Sequence, residues 1–292
     1  MAIVALVVFY VIALTLGATY VLHTVMHPAR NTETVDLGVM MGHPTSFPFY
    51  AGSTPLEGWF FPGLRTGPTI VICHGYGERR ASVLTLVTAL QDQRYNVFVF
   101  DFAGHGNNPG NTTLGYRETD ELRGAIDSVA ARTDIDPRHF GVWGNDLGGY
   151  AALKAAEADS RIAAVAVDSA YDDPLTLLQT EAKKTGLTLL PFMMDFTDMG
   201  FHFETYSYRQ EPPVSDRMGR LQGIPKLFIE SQDRPSLQVS MGKLFQAAPP
   251  PRKREVVRVE YADMSDEDRK NYENMIVSFF LQNLPATARP AK

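Results

Sequence analysis

The sequence predicts an α/β domain: a mostly parallel sheet covered by helices on both faces, carried behind one apolar N-terminal segment. Three observations predict it. From Thr69 onward, short apolar, β-branched stretches alternate with helix-period stretches, as expected of parallel strands buried on both faces. Residues 144–149 read Gly-Asn-Asp-Leu-Gly-Gly between an apolar run (140–143) and a helix-forming run (150–156), a strand, a tight turn and a helix in succession. Residues 2–22 carry no charged side chain.

The apolar segment comes first. At about 1.5 Å per residue it reaches roughly 30 Å, the thickness of a bilayer's hydrocarbon core. Tyr10 and Tyr20 are of the type found at membrane interfaces. A cleaved signal peptide would show a basic start, a shorter apolar run and a small-x-small cleavage site. No Lys or Arg precedes this segment, and no such site follows it. The expectation is a single-pass anchor over 1–26, a polar stalk over 27–34, and a globular domain over 35–292. Arg30 is the nearest basic residue, and it gives only a weak preference for a cytoplasmic domain.

Strands are expected at 35–40, 46–51 and 56–61, punctuated by Gly and Pro as in a hairpin-rich entry to a sheet. They continue at Thr69–Cys73, 97–100, 140–143, 162–167, 226–229 and 255–259. Tyr272, Met275, Ile276, Phe279, Phe280 and Leu284 recur at three- and four-residue spacing, the stripe of a closing helix. One insertion, about 172–221, breaks the alternation. Leu187, Leu189, Leu190, Phe192, Met193, Met194, Phe196, Met199, Phe201 and Phe203 crowd within it. It should form a helical lid, whose Met and aromatic residues suit an adaptable apolar pocket or a protein-contact surface, or which packs around a small core of its own. Asp195 and Asp198 argue against a second membrane crossing.

Composition narrows the function. Hydrophobic content of 45% and charged content of 21% describe an ordinary globular core. A net charge of −6 argues against nucleic acid. The one dense basic cluster, Arg252-Lys253-Arg254, reads as a solvated loop before a strand. Cys73 is the single cysteine, so no internal disulfide can form. Zinc-ligand spacing is missing, Gly75-Tyr76-Gly77 is too short for a dinucleotide loop, and Asp172-Asp173 reads as a turn. No metal or cofactor is expected.

Four motifs stand in order: His74-Gly75-Tyr76-Gly77, Asp101-Phe-Ala-Gly-His-Gly106, the Gly144–Gly149 turn, and Asp168-Ser169-Ala170-Tyr171. On these the chain resembles the α/β-hydrolase superfamily from about Leu56 to Leu284. It is most similar to membrane-anchored bacterial members related to the serine aminopeptidase and prolyl-oligopeptidase-like groups, which implies a bacterial inner-membrane location. The resemblance implies a nucleophile elbow at 144–148 with Asp146 where the serine would stand. It also implies oxyanion-hole amides from Tyr76 and Leu147. The family's acid falls at Asp233, and Met264 or a neighbour takes the place of the late histidine. No histidine follows His202, so the usual triad cannot be assembled.

Three functions follow as expectations. The first is a pseudoenzyme: an accessory, scaffold or interaction subunit with the bilayer and membrane proteins as partners. The second is a hydrolase with Asp146 as nucleophile, similar to dehalogenases and epoxide hydrolases, which needs His74 or His105 as a substitute base. Their plainer role is to hold their loops. The third is a lipid sensor built on the Met- and Phe-rich lid. His139, before its strand, and His202, in the lid, are set aside as catalytic candidates.

Overall fold

The computed structural model describes residues 1–32, 35–39, 43–208 and 211–287. Helix α1 (Ala2–Met26) leads into a sheet whose first two strands, β1 (Thr45–Ala51) and β2 (Thr54–Phe61), form an antiparallel hairpin. Strand and helix then alternate: β3 (Thr69–Cys73), α2 (Leu84–Asp92), β4 (Asn96–Phe100), α3 (Tyr116–Ala130), β5 (Phe140–Asn145), α4 (Leu147–Ala156) and β6 (Ile162–Asp168). The insertion holds α5 (Pro174–Lys184), α6 (Met193–Glu204) and α7 (Val214–Arg217). β7 (Lys226–Ser231), α8 (Pro235–Ala247), β8 (Arg252–Val257) and α9 (Asp266–Asn283) close the chain.

The eight strands lie in the order β1-β2-β4-β3-β5-β6-β7-β8. β2 runs antiparallel to β4, and every pairing from β4 to β8 is parallel. β3, β4 and β5 are buried along their whole length, which explains their unbroken apolar character. On one face, α9 packs Tyr272, Ile276 and Phe280 with Ile70, Ile72, Val97 and Trp143. On the other, α3 and α4 pack Leu122, Ile126, Leu147 and Ala151 with Val71, Phe98, Phe100 and Val142. All parallel strands point their C-terminal ends toward one rim, where loops carry chemistry in such sheets.

Two expectations need correction. The strand expected at 35–40 is replaced by a single 3-10 turn, Leu37–Val39, because the Asp36 carboxylate accepts the Gly38 amide at 2.8 Å and curls the chain. Met40 lies outside the described residues. The basic cluster Arg252-Lys253-Arg254 is exposed as expected, yet it opens β8 rather than preceding it. It has only β7 beside it in the sheet, and charged side chains discourage further pairing at such an edge.

α1 is long and apolar enough to cross a membrane, with a mean hydropathy of 2.5 over its most apolar window; a signal sequence has the same properties. Its C-terminal half is not free of the domain. Leu14, Ala18, Val21, Leu22, Val25 and Met26 are buried, and Leu14 and Ala18 pack with Met193 of α6.

Candidate functional site

The rim centres on Asp146, the residue joining β5 to α4. Its backbone has φ 49° and ψ −106°, the strained conformation that lifts an elbow side chain above the sheet. The side chain is buried, with the whole residue 2% exposed. One carboxylate oxygen, Oδ2, accepts from Nη2 of Arg234 at 2.8 Å; the other, Oδ1, is buried and has no hydrogen-bond partner. Arg234 follows β7 and is held from its other side by Glu260, with Nη1 donating to Oε2 at 2.5 Å. The centre is therefore a chain of charges, Asp146–Arg234–Glu260.

Burial dominates the electrostatics. It pushes the Asp146 carboxyl up to about 7, against the pull of the Arg234 guanidinium. Glu78, on the loop after β3, is likewise raised to about 7 by burial. Its Oε2 accepts the Gly75 amide at 3.0 Å, and its Oε1 accepts from Asn145 Nδ2 at 3.3 Å. Beneath them Asp168 accepts from the hydroxyls of Ser169, Ser231 and Tyr272 at 2.8, 3.1 and 2.9 Å. Burial raises it to about 6.

The other expected residues divide. Leu147 opens α4, so its amide has no carbonyl one turn earlier to bond. Tyr76 sits on the loop after β3, and its hydroxyl donates to the Val25 carbonyl at 2.8 Å, tying the rim to α1. Asp233 does not reach Asp146; exposed, its Oδ2 accepts the Glu260 amide at 3.1 Å and joins the loops after β7 and β8. The carboxylates of Asp233, Glu260 and Asp263 approach within 4.8 Å of one another, but Glu260 is already committed to Arg234.

Met264 is not at the centre either. It is packed with Trp143, Tyr261 and Tyr272, and it lines a gap of about 300 Å³ between β8 and α9. The position opposite Asp146 is filled from the adjacent loop by Arg234.

Both candidate bases are held to backbone carbonyls through Nδ1. His74 spends both ring nitrogens on backbone: Nδ1 lies 2.8 Å from the Gly75 carbonyl, and Nε2 accepts the Phe102 amide at 3.1 Å. That fixes its tautomer and leaves no lone pair for a water. His105 lies 3.2 Å through Nδ1 from the Ala103 carbonyl, and its Nε2 is buried and unpartnered. Burial lowers both rings to about 4. His139 lies 2.8 Å from Asp136, and His202 is exposed on α6.

Sequence reasoning missed Arg234, Glu260 and Glu78. One signal was available. A carboxylate at a buried elbow needs a cation, and Arg234 sits beside the aspartate already singled out. The Asp172-Asp173 turn reading holds: Asp173 caps α5 through the Leu175 amide, and Asp172 accepts the Ser215 amide. Of the roles expected of the lid, the apolar pocket is the one its side chains do not form. Met193 and Phe201 are buried, whereas Leu189, Leu190, Phe192, Met199 and Phe203 face outward rather than lining a pocket above Asp146.

Comparisons with known proteins agree with this architecture. A family model described as the alpha/beta hydrolase fold matches residues 68–200. The uncharacterized protein YfhR of Escherichia coli (strain K12) is 31% identical over 144 residues, which is 47% of this chain and only 50% of that relative's length. The solved Pyrococcus furiosus esterase Pf2001 superposes with a TM-score of 0.67 at 18% identity, covering 88% of this chain and 99% of its own. The acylaminoacyl peptidase of Pyrococcus horikoshii does so at 0.61 and 15%, covering 85% and 43%. At such identities the shared property is the fold.

Proposed function

We propose that this chain, which belongs to the α/β-hydrolase superfamily, is a membrane-anchored pseudoenzyme that acts by binding, as an accessory or scaffold subunit of a membrane complex. One observation carries the reading: the Asp146–Arg234–Glu260 ion chain occupies the centre where acyl-transfer chemistry would run. Such chemistry needs a group that takes a proton from the nucleophile and returns it to the leaving group. Arginine stays charged at any ordinary pH and offers no lone pair. An oxyanion developing on a substrate carbonyl would also meet the Asp146 carboxylate when that group is ionised.

The test uses the full chain in detergent micelles. Fluorophosphonate labelling and p-nitrophenyl acetate hydrolysis are both expected to stay at background, and mild extraction from native membranes is expected to yield a complex larger than the chain itself. Turnover that disappears in Asp146→Ala would overturn the proposal, as would consistent migration alone.

A second reading has one observation in its favour. The buried Oδ1 of Asp146 has no hydrogen-bond partner, as a nucleophilic oxygen free to attack would not. Exposure to an epoxide or alkyl halide would then leave a covalent adduct on Asp146, trapped for want of a base. Peptide mass spectrometry with no adduct on a folded protein removes this reading.

A further inference from the structure

The anchor and the lid are one body. α6 runs alongside α1 in the same direction: Met193 lies against Gly17, and Gly200 against Leu22. Just before α6, the Pro191 carbonyl accepts from the Tyr10 hydroxyl at 2.9 Å. At its other end, α1 is fixed to the rim by the Tyr76 hydroxyl on Val25 and by the Thr112 amide on the Met26 carbonyl at 2.9 Å.

That arrangement leaves too little free helix. Residues 2–13 are exposed all round and almost wholly apolar, and Leu14 is the first buried against the domain. Twelve residues at about 1.5 Å each give roughly 18 Å, against the roughly 30 Å of a hydrocarbon core. The remaining depth must come from the part of α1 that is already docked, and whatever flanks that part enters with it. At the lid tip, what flanks it is apolar. Leu189 and Phe192 are 89% and 65% exposed, and both lie within two residues of Pro191, which Tyr10 contacts. On the outer face of the docked half, Thr15, Thr19 and Thr24 each donate to the carbonyl four residues earlier, so these hydroxyls do not depend on water. The charged residues flanking the docked half, Asp195 and Asp198 of α6 and Glu181 and Lys184 of α5, lie beside residues 17–25 of α1, at its headgroup end.

We infer that the lid tip Leu189–Phe192 inserts into the bilayer beside α1, so that the rim carrying Asp146 is held face-on to the membrane. The inference rests on the anchored reading of α1. Its occupant is lipid: the exposed residues of the tip are continuous with a helix of membrane-spanning character. With the rim against the bilayer, the way to Asp146 runs along the membrane surface rather than from bulk water.

Depth-dependent quenching tests it. The full chain is reconstituted in phosphatidylethanolamine/phosphatidylglycerol vesicles with dibrominated acyl chains, using three single variants: Leu189→Trp, Ile3→Trp and Leu281→Trp. The native Trp59 and Trp143 are buried and give a constant background. Leu281 lies on α9 close to Leu284, whose carbonyl binds Tyr95 at the start of β4, the end of the sheet remote from the rim. Leu189→Trp and Ile3→Trp are expected to lose emission in brominated vesicles, and Leu281→Trp to keep it. Quenching of Ile3→Trp alone would overturn the lid contact while leaving the anchor intact. No quenching at either site would remove the anchored reading itself, and quenching at all three would remove the face-on orientation.

Discussion

Replacing Asp146 with asparagine isolates the energetic cost of a charge at the elbow. The substitution keeps shape, tolerates the positive φ of 49°, and preserves an oxygen for Arg234 Nη2. Burial raises the Asp146 carboxyl from 3.8 to about 7, so the folded state holds the proton more tightly than the unfolded chain. Stability from this group therefore falls as pH climbs from the unfolded value to the folded one, and then stays level. Each pH unit in that interval is worth about 1.4 kcal/mol, so about three units make ~4 kcal/mol. Asparagine does not titrate. Its advantage over the wild type should be near zero at pH 4, grow through neutrality, and reach ~4 kcal/mol by pH 8. Glu78, Asp168 and Glu121 are also raised, to about 7, 6 and 8, but they are common to both proteins and largely cancel in the difference. Urea denaturation of the two proteins in micelles, followed from pH 4 to pH 8, gives that difference directly. Parallel curves, or a wild type that gains on the variant as pH rises, would refute the burial argument.

Three further outcomes follow from the same geometry. Arg234→Met leaves Asp146 and Glu260 without their shared cation and should cost about 3–5 kcal/mol at pH 8, much of it recovered in Arg234→Met/Asp146→Asn; additive losses in urea titrations would show that the pair is not coupled. His74→Ala removes the acceptor of the buried Phe102 amide and should cost about 1–3 kcal/mol in the same titrations, while changing no catalytic property. Tyr76→Phe removes the hydroxyl tie to Val25, worth about 1 kcal/mol, and should speed proteolysis just after α1 without shifting global unfolding; an unchanged cleavage rate would mean that the tie does not hold the helix.

The sheet was legible because its signals are local. Thr69–Cys73 appears with the bounds the sequence predicted, since a five-residue apolar run flanked by polar turns has few other ways to be buried. The strand at 35–40 was misread because one carboxylate, Asp36, decided the local conformation against the apolar pattern. At the centre, the loss of the histidine was visible in the sequence, but its replacement was not. Met264 occupies the expected place along the chain, yet its side chain is apolar and turns into the core beside Tyr261 and Tyr272. Arg234 reaches the site because Pro235 starts α8 directly behind it and leaves the arginine on the rim. Such a substitution depends on where three loops end in space, and spacing along one chain does not encode that.

Preservation of the elbow is weak evidence of preserved catalysis, because packing alone requires it. A Cβ on Gly144 would lie 2.2 Å from the Gly148 carbonyl oxygen, and one on Gly148 would lie 2.3 Å from the Cys73 carbonyl oxygen. Both contacts are with backbone, so no side chain can swing aside to relieve them. The close approach of α4 to β3 and β5 needs these glycines whatever residue stands between them. The needs of a stable sheet alone would thus keep the turn and its strained centre, whatever the residue at 146 does. On this argument Gly148→Ala should weaken folding as severely as a large core substitution, about 2–5 kcal/mol, and would do so in a protein that never turned over a substrate. A Gly148→Ala variant as stable as the wild type would return the motif to catalysis as its explanation.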